Sequence, residues 1–277
     1  MIVVTGATGN IGKPLTRALA EAGEQVTAVS RHAAEVPDGA RHVVADLARP
    51  DTLPLAGAKA LFLLLSGDLH AAGADPADVV GQAVAAGVRR VVLLSTLGVK
   101  TRPFGATRIA MSALEDVVRE SGADWSILRP GGFASNALWW AESVRANRVV
   151  AAPFGDTGVP ILDPADIAEV AAACLTDDRH NGGVYELTGP EVITPREQAA
   201  AIAAALGEPV RFHELTRAEA KAGMEQLMPG ELADDTLDIL SSPTPDELSV
   251  SPDVQAVLGR APRSFADWAA RNVDAFR

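Results

Sequence analysis

One cysteine and one tyrosine stand in a chain of 277 residues, and aromatic residues make up only 4% of it. The lone cysteine, Cys174, excludes an intrachain disulfide and fits a reducing compartment. The five histidines, at 32, 42, 70, 180 and 213, show no close ligand spacing, so with a single thiol no metal site is expected. Ala60–Leu65 is wholly apolar, yet no strictly apolar run approaches the roughly 20 residues of a membrane span. Positive charge is scarce: 24 Lys and Arg face 36 Asp and Glu, a net charge of −12. Such a field repels phosphate backbones, and no basic run offsets it, so nucleic acid is not an expected partner. No charged stretch precedes an apolar one at the start, where Met1 leads straight into a strand, so no secretory signal is expected. The chain reads as soluble and cytoplasmic, without a membrane partner, and the sequence leaves a homodimer open.

Hydrophobic residues account for 48% and charged residues for 22%, a globular composition with enough apolar surface for a full core. Apolar strand runs alternate with amphipathic helices over the first two-thirds. Strands are expected at Ile2–Thr5, Gln25–Ser30, His42–Ala45, Ala60–Leu65, Arg90–Ser95 and Trp125–Leu128. Between them, Leu15, Ala18, Leu19 and Ala22 make one helix stripe, and Pro76–Ala86 and Ala106–Glu120 read as further helices. Later come a strand at Val159–Leu162, a helix at Ala165–Leu175, a strand at Val184–Leu187, a helix opened by Thr194-Pro-Arg-Glu197, a strand near Val210–Glu214 and a mixed helical stretch at Arg217–Leu240. Ser241–Pro245 reads as a loop. The expected fold is α/β: a Rossmann-type doubly wound parallel sheet with a smaller C-terminal α/β substrate lobe. Residues 1–132 and 163–190 are assigned to the doubly wound domain, and 133–162 and 191–277 to the lobe.

Thr5-Gly6-Ala7-Thr8-Gly9-Asn10-Ile11-Gly12 lies directly between the first strand and the first helix. Gly6 permits the tight turn, Gly9 lets the backbone approach a pyrophosphate, and Gly12 lets the helix pack closely on the sheet; the helix then points N–H groups at the phosphates. Cofactor contacts are therefore expected from Gly6, Thr8, Gly9, Asn10, Ile11 and Gly12. Roughly 20 residues further on, a site for NAD places Asp or Glu against the ribose hydroxyls, whereas this chain has Ser30-Arg31. A guanidinium clasps a 2′-phosphate that a carboxylate would repel, and a hydroxyl adds a donor, so NADP(H) is preferred over NAD(H). Asp46-Leu47 suits either an adenine contact or a turn. Leu65-Ser66 and Ser95-Thr96 stand at strand carboxyl ends, where ligands bind in such sheets and where the nicotinamide end is expected.

These residues carry a resemblance. With Arg31, the stretch SGADWSILRPGGFASN from Ser121 to Asn136, Asp163-Pro-Ala-Asp166-Ile-Ala, VYELTGP and ITPREQAAAIAAALG, the chain resembles the NmrA-like, atypical short-chain dehydrogenase/reductases over about its first 215 residues. The resemblance implies NADP(H) binding, a small substrate lobe, and either quinone-type reduction or redox sensing. By that analogy Pro130, Gly131 and Phe133 border the nicotinamide, and Asn136 lies near the cleft.

Most short-chain dehydrogenases use a Tyr-x-x-x-Lys pair. The single tyrosine here, Tyr185, lies within VYELTGP with Gly189 four residues on, so the pair cannot exist. Spacing from Glu115 to Ser121-Gly122 puts Thr107 and Met111 in the two slots; Phe104 and Arg108 repeat the spacing three residues earlier and are read as coincidence. No catalytic acid is identified. Hydride delivery to a simple ketone makes a strongly basic alkoxide that needs a proton donor, whereas a quinone yields a phenolate-like anion whose conjugate acid has a pKa of about 10. Positioning is then nearly sufficient. An aromatic or quinone acceptor is expected against Met111, Phe133, Asn136, Trp139 and Trp140, although adjacent tryptophans cannot share one helical face and one of them is expected to pack. His70 is read mainly as a loop residue, Met224 and Met228 as a lid or as core, and Cys174 as core. The expected function is NADPH-dependent reduction of a quinone or other activated conjugated carbonyl, with aromatic polyketide tailoring a special case. The alternative is a non-catalytic NADP(H) sensor acting through a protein partner.

Overall fold

The computed structural model describes residues 1–65, 75–226, 228 and 230–277. Its strands, in chain order, are β1 (Ile2–Val4), β2 (Val26–Ser30), β3 (Ala40–Val44), β4 (Ala60–Leu64), β5 (Arg90–Leu94), β6 (Asp124–Pro130), β7 (Val149–Ala152), β8 (Val159–Pro160), β9 (Gly183–Leu187), β10 (Val192–Ile193) and β11 (Arg211–Glu214). The chain divides into two compact units. The first comprises Met1–Pro130, Pro164–Leu187 and Asp253–Arg260; the second comprises Gly131–Asp163, Thr188–Pro252 and Ala261–Arg277.

The first unit is built on one parallel sheet of order β3-β2-β1-β4-β5-β6-β9. Strand order reverses between β1 and β4, the place where doubly wound sheets bind ligands at their carboxyl ends. The apolar runs explain the arrangement: β1 is buried throughout and β4 nearly so, as strands covered on both faces must be, while β3 at the edge is only half-buried. Val3, Leu61, Leu63, Val91, Leu93 and Ile127 from the sheet pack with Val79 and Val80 of the helix Pro76–Ala85 and with Leu114 and Val118 of the helix Ala106–Glu120. Val118 is fully buried, and truncating such a residue to alanine typically costs about 2–5 kcal/mol. The helix Gly12–Glu21 packs against the helix Pro164–Thr176. Cys174 is buried in the latter, and burial pushes its thiol up to about 12, which makes it inert at neutral pH.

The segment Asp253–Arg260 returns to this unit although its sequence gives no periodic signal. Polar contacts hold it: Asp253 accepts from the Glu186 amide at 2.7 Å, and Arg260 donates to Asp166 and Glu169. The second unit pairs β7 with β11 in parallel and β8 with β10 antiparallel. Its core gathers Val144, Val150, Ile202, Phe265, Trp268 and Phe276, and Arg271 pairs there with Asp163. The capping box at Thr194 is formed, and Thr216, Thr244 and Ser264 open further helices in the same way. Ser241–Pro245 is therefore not wholly loop, because the helix Gly230–Ser241 runs into it and Thr244 caps a short helix at Pro245. Val159–Leu162 pairs as a strand only over Val159–Pro160, with Leu162 bridged separately to Phe133. No described helix is long and apolar enough to cross a membrane.

Candidate functional site

The turn from β1 into the first helix is built by its glycines. Gly6 takes a φ of +62°, a conformation that L side chains rarely adopt. A Cβ at Gly12 would lie 2.1 Å from the Gly6 carbonyl oxygen and 2.7 Å from the Ala7 Cα, so backbone bars any side chain there. Gly9 is different. A Cβ there would meet only the Gly6 oxygen, at 3.4 Å, so the protein itself does not require glycine. What glycine provides at that exposed position is clearance on the outer side, as a phosphate approached by backbone needs.

Thr5 anchors the turn: buried, it accepts from the Leu64 amide at 2.8 Å, and its one hydroxyl proton faces the Phe62 carbonyl at 3.0 Å and the Leu64 carbonyl at 3.2 Å, tying the end of β1 to the end of β4. The Ala7 amide donates to Val29 of β2 at 3.1 Å. The helix that follows has no side-chain cap at Ile11 and no acidic residue in its first turn. Its N-terminus thus combines a positive dipole end with nothing that would repel an anion. Thr8, Gly9 and Asn10 are exposed along this rim, while Ile11 and Gly12 are buried beneath it. These features fit the pyrophosphate of a dinucleotide.

At the end of β2, Arg31 is exposed, as a clasp for a phosphate must be. Ser30 is less available than its sequence position suggests. Its hydroxyl donates to the His32 carbonyl at 2.8 Å and also meets the His42 Nε2 at 2.7 Å. His42 stands on β3 two residues before Val44, the register partner of Ser30, and is a neighbour of Ser30 that sequence reasoning missed. Its signal was weak, since pairing of β2 with β3 is what brings the two together.

Asp46 is a turn residue. Its carboxylate accepts from the Ala48 amide at 3.0 Å, its amide donates to Thr52, and its carbonyl accepts from the Arg49 amide. Leu47 and Leu65 pack partly against the sheet core. Ser66 and His70 lie outside the described residues.

At the ends of β5 and β6 the structure reveals a buried ionic cluster. Glu115, with a side chain only 1% exposed, accepts from Ser95 Oγ at 2.5 Å, Arg129 Nε at 2.9 Å, Arg129 Nη2 at 2.5 Å and Arg119 Nη2 at 2.8 Å. Burial pushes the Glu115 carboxyl up, but hydrogen bonds from Arg129 and Ser95, the Arg129 charge and the Arg119 contact outweigh it and hold the carboxyl below its ordinary range. The Ser95 proton is committed to Glu115. Its amide donates to Leu128, and the Leu97 amide donates to Pro130, so the two strand ends are laced together. Thr96 Oγ1 accepts from the Gly98 amide at 3.3 Å.

Met111 lies half-buried against the sheet core, and Thr107 is exposed. Tyr185 is no substitute acid: its hydroxyl meets His180 Nδ1 at 2.7 Å, and His180 precedes β9 at the amino edge of the sheet. Within the second unit, Phe133 is bridged to Leu162 and half-buried, Gly131 is half-buried, and Asn136 is exposed. Of the adjacent tryptophans, Trp140 packs against the core and Trp139 is 51% exposed. Met224 and Met228 are both half-buried.

Comparison with known proteins bears on this geometry. Residues 6–178 match the NAD(P)H-binding family. The chain is 38% identical to a (4-alkanoyl-5-oxo-2,5-dihydrofuran-3-yl)methyl phosphate reductase of Streptomyces griseus, over 100% of this chain and 99% of that one. It is 34% identical to an NAD(P)H azoreductase of Xenophilus azovorans, again over 100% and 99%. Among solved structures, an NADPH-dependent quinone oxidoreductase of Escherichia coli in complex with NADPH superposes with a TM-score of 0.79, at 26% identity, over 98% of this chain and 99% of that one. The chain therefore belongs to the NAD(P)H-binding oxidoreductases of the NmrA-like, atypical short-chain dehydrogenase/reductase type.

Proposed function

We propose that the protein is an NADPH-dependent reductase of acceptors that hold a delivered hydride as a delocalised anion: a quinone, or a carbon–carbon double bond conjugated to carbonyl groups. The observation that carries this reading is a dinucleotide cradle at a sheet edge whose usual acids are absent or committed elsewhere. The serine at the end of β5 donates its hydrogen bond to the Glu115 carboxylate, and the chain's one tyrosine faces His180. NADPH supplies a hydride at its nicotinamide ring. The chain's own residues hold phosphates at the Gly9 rim, clasp a 2′-phosphate through Arg31, and fix the backbone at the ends of β5 and β6 through Glu115.

The relatives' names support one chemistry. A quinone leaves hydride transfer as a phenolate-like anion. The furanone named for the Streptomyces griseus relative bears a ring double bond flanked by two carbonyl groups, so hydride addition leaves an enolate spread over both oxygens. Anions of this kind sit far nearer to neutral pH than an alkoxide and can take a proton from water.

The test is anaerobic NADPH oxidation by the purified protein against benzo-, naphtho- and anthraquinones and an acyl-substituted butenolide, for the wild type and Arg31→Ala. Saturable turnover is expected, weaker with NADH. Arg31→Ala is expected to raise the NADPH KM roughly 10–100-fold, the scale of one lost charge-assisted hydrogen bond, and to leave NADH unchanged. Binding of NADPH with no turnover on any acceptor would contradict the reading and favour a sensor. Equal NADPH and NADH kinetics in both proteins would remove the 2′-phosphate argument.

A further inference from the structure

We infer that His42 is a positioning residue for the 2′-phosphate of NADP(H): it acts through Ser30 and fixes the turn on which Arg31 stands, which rests on the reading above that Arg31 clasps that phosphate. Ser30 is the last residue of β2. Just before it, the Val29 carbonyl accepts from the Ala7 amide of the glycine turn at 3.1 Å. The end of β2 therefore lies beside the dinucleotide turn, where doubly wound folds read the substituent on the adenosine ribose.

The Ser30 hydroxyl lies 2.8 Å from the His32 carbonyl oxygen, two residues on. A serine that bonds its own backbone at this separation curls the chain, and the residue enclosed by the curl is Arg31. That contact is exposed, so alone it is a weak tether. A second tether comes from β3. Val44 is the register partner of Ser30, and His42, two positions earlier, shares its face of the strand. From there His42 Nε2 reaches Ser30 Oγ at 2.7 Å, in a part-buried contact. Whichever of the two groups carries the shared proton, the oxygen is held from β3. The Ala45 amide also donates to the Ser30 carbonyl at 3.1 Å. Main chain and side chain thus pin Ser30 to the same neighbour strand, and Arg31 leaves β2 from a fixed point.

The strand itself does not call for histidine. β3 is the edge of the sheet, Val44 on the same face is 57% exposed, and a β-branched residue would suit position 42 as well. What the imidazole adds is a nitrogen within reach of Ser30. A side chain held near its bound position leaves less ordering for binding to supply. Only a cofactor that carries the 2′-phosphate draws on Arg31, so the effect of His42 belongs to NADPH and not to NADH.

Nicotinamide fluorescence titrations of NADPH and NADH test this on the purified wild type, His42→Ala, His42→Gln, Arg31→Ala and the His42→Ala, Arg31→Ala double variant, each shown by its melting curve to be folded. His42→Ala is expected to bind NADPH roughly 3–10-fold more weakly, the scale of one net hydrogen bond, and NADH within about twofold of the wild type. His42→Gln places an amide within reach of the same oxygen and is expected to recover most of the loss. In the Arg31→Ala background, His42→Ala is expected to change NADPH affinity less than about twofold, because the residue it positions is gone. Equal weakening of NADPH and NADH would assign His42 a general structural role, and a full effect that persists without Arg31 would make it a direct ligand. Either result overturns the proposal, as does an unchanged NADPH affinity or a glutamine variant as weak as the alanine one. Should Arg31→Ala alone leave NADPH affinity unchanged, the 2′-phosphate reading itself fails, and that single variant shows it without reference to His42.

Discussion

Replacing Gly12 with alanine is expected to damage the fold, and replacing Gly9 with alanine is expected to damage only cofactor binding. A methyl group at 12 would lie 2.1 Å from one backbone oxygen and 2.7 Å from a backbone Cα, and neither can move without unseating the first helix from the sheet. Overpacking against rigid backbone costs about 3 kcal/mol or more, which for a chain of this size lowers Tm by roughly 6–12 °C. At Gly9 the same methyl meets one oxygen at 3.4 Å, an ordinary contact, and the backbone there is not in the left-handed region. Gly9→Ala is therefore expected to melt within about 1 °C of the wild type. It should nonetheless bind NADPH on the order of 100-fold more weakly, as expected from losing two charge-assisted hydrogen bonds to the pyrophosphate. Paired melting curves and NADPH titrations decide the matter. Should Gly9→Ala bind NADPH normally, the turn would be a structural device and the cradle would have to be sought elsewhere.

The second large effect is expected at Glu115. Glu115→Gln removes the negative charge between Arg129 and Arg119 while keeping the side chain's shape. Breaking a buried ion pair by neutralising one partner typically costs about 3–5 kcal/mol, because the remaining charge stays desolvated. Replacing both members by apolar residues of similar volume, Glu115→Leu with Arg129→Met, is expected to recover most of that loss. The pH dependence has a definite sign. The folded carboxyl titrates below its ordinary value of 4.5, so the stability it contributes is complete above that pH and is lost as pH falls through the lower folded value. Wild-type Tm should thus fall more steeply with acidification below about pH 4.5 than that of Glu115→Gln. Parallel acid limbs for the two proteins would show that Glu115 is not held ionised by its partners.

The sheet was legible because its inner strands β1, β4 and β5 are nearly pure apolar runs and the helices Gly12–Glu21, Pro76–Ala85 and Ala106–Glu120 are soon followed by Gly23, Gly87 and Gly122. Buried on both faces, a run such as Ala60–Leu64 has little choice of structure. The glycine turn was legible for a similar reason, since each of its three glycines answers a local steric demand or a ligand's approach. The region after Pro130 was harder to read. Its 3₁₀ segment Ala134–Trp140 and its short helices have too few turns for a periodic stripe, and Asp253–Leu258 is fixed by polar contacts to distant residues.

The same limit applies to the site. Glu115 looked like a spacer when read along its helix, because its partners Ser95 and Arg129 lie 20 positions before and 14 after it. His42 meets Ser30 only through strand pairing. In each case the sequence supplied the residue, and the tertiary fold supplied its neighbour.

On the function proposed above, hydride transfer needs no proton from the protein. Single-turnover reduction of a naphthoquinone by NADPH deuterated at the transferred position of nicotinamide C4, in H₂O and in D₂O from pH 6 to 9, tests it most directly. The rate is expected to fall with the deuterated cofactor and to be unchanged by D₂O and by pH. A rate slowed by D₂O that follows the ionisation of a protein group would contradict the account, and would place a catalytic acid in the site.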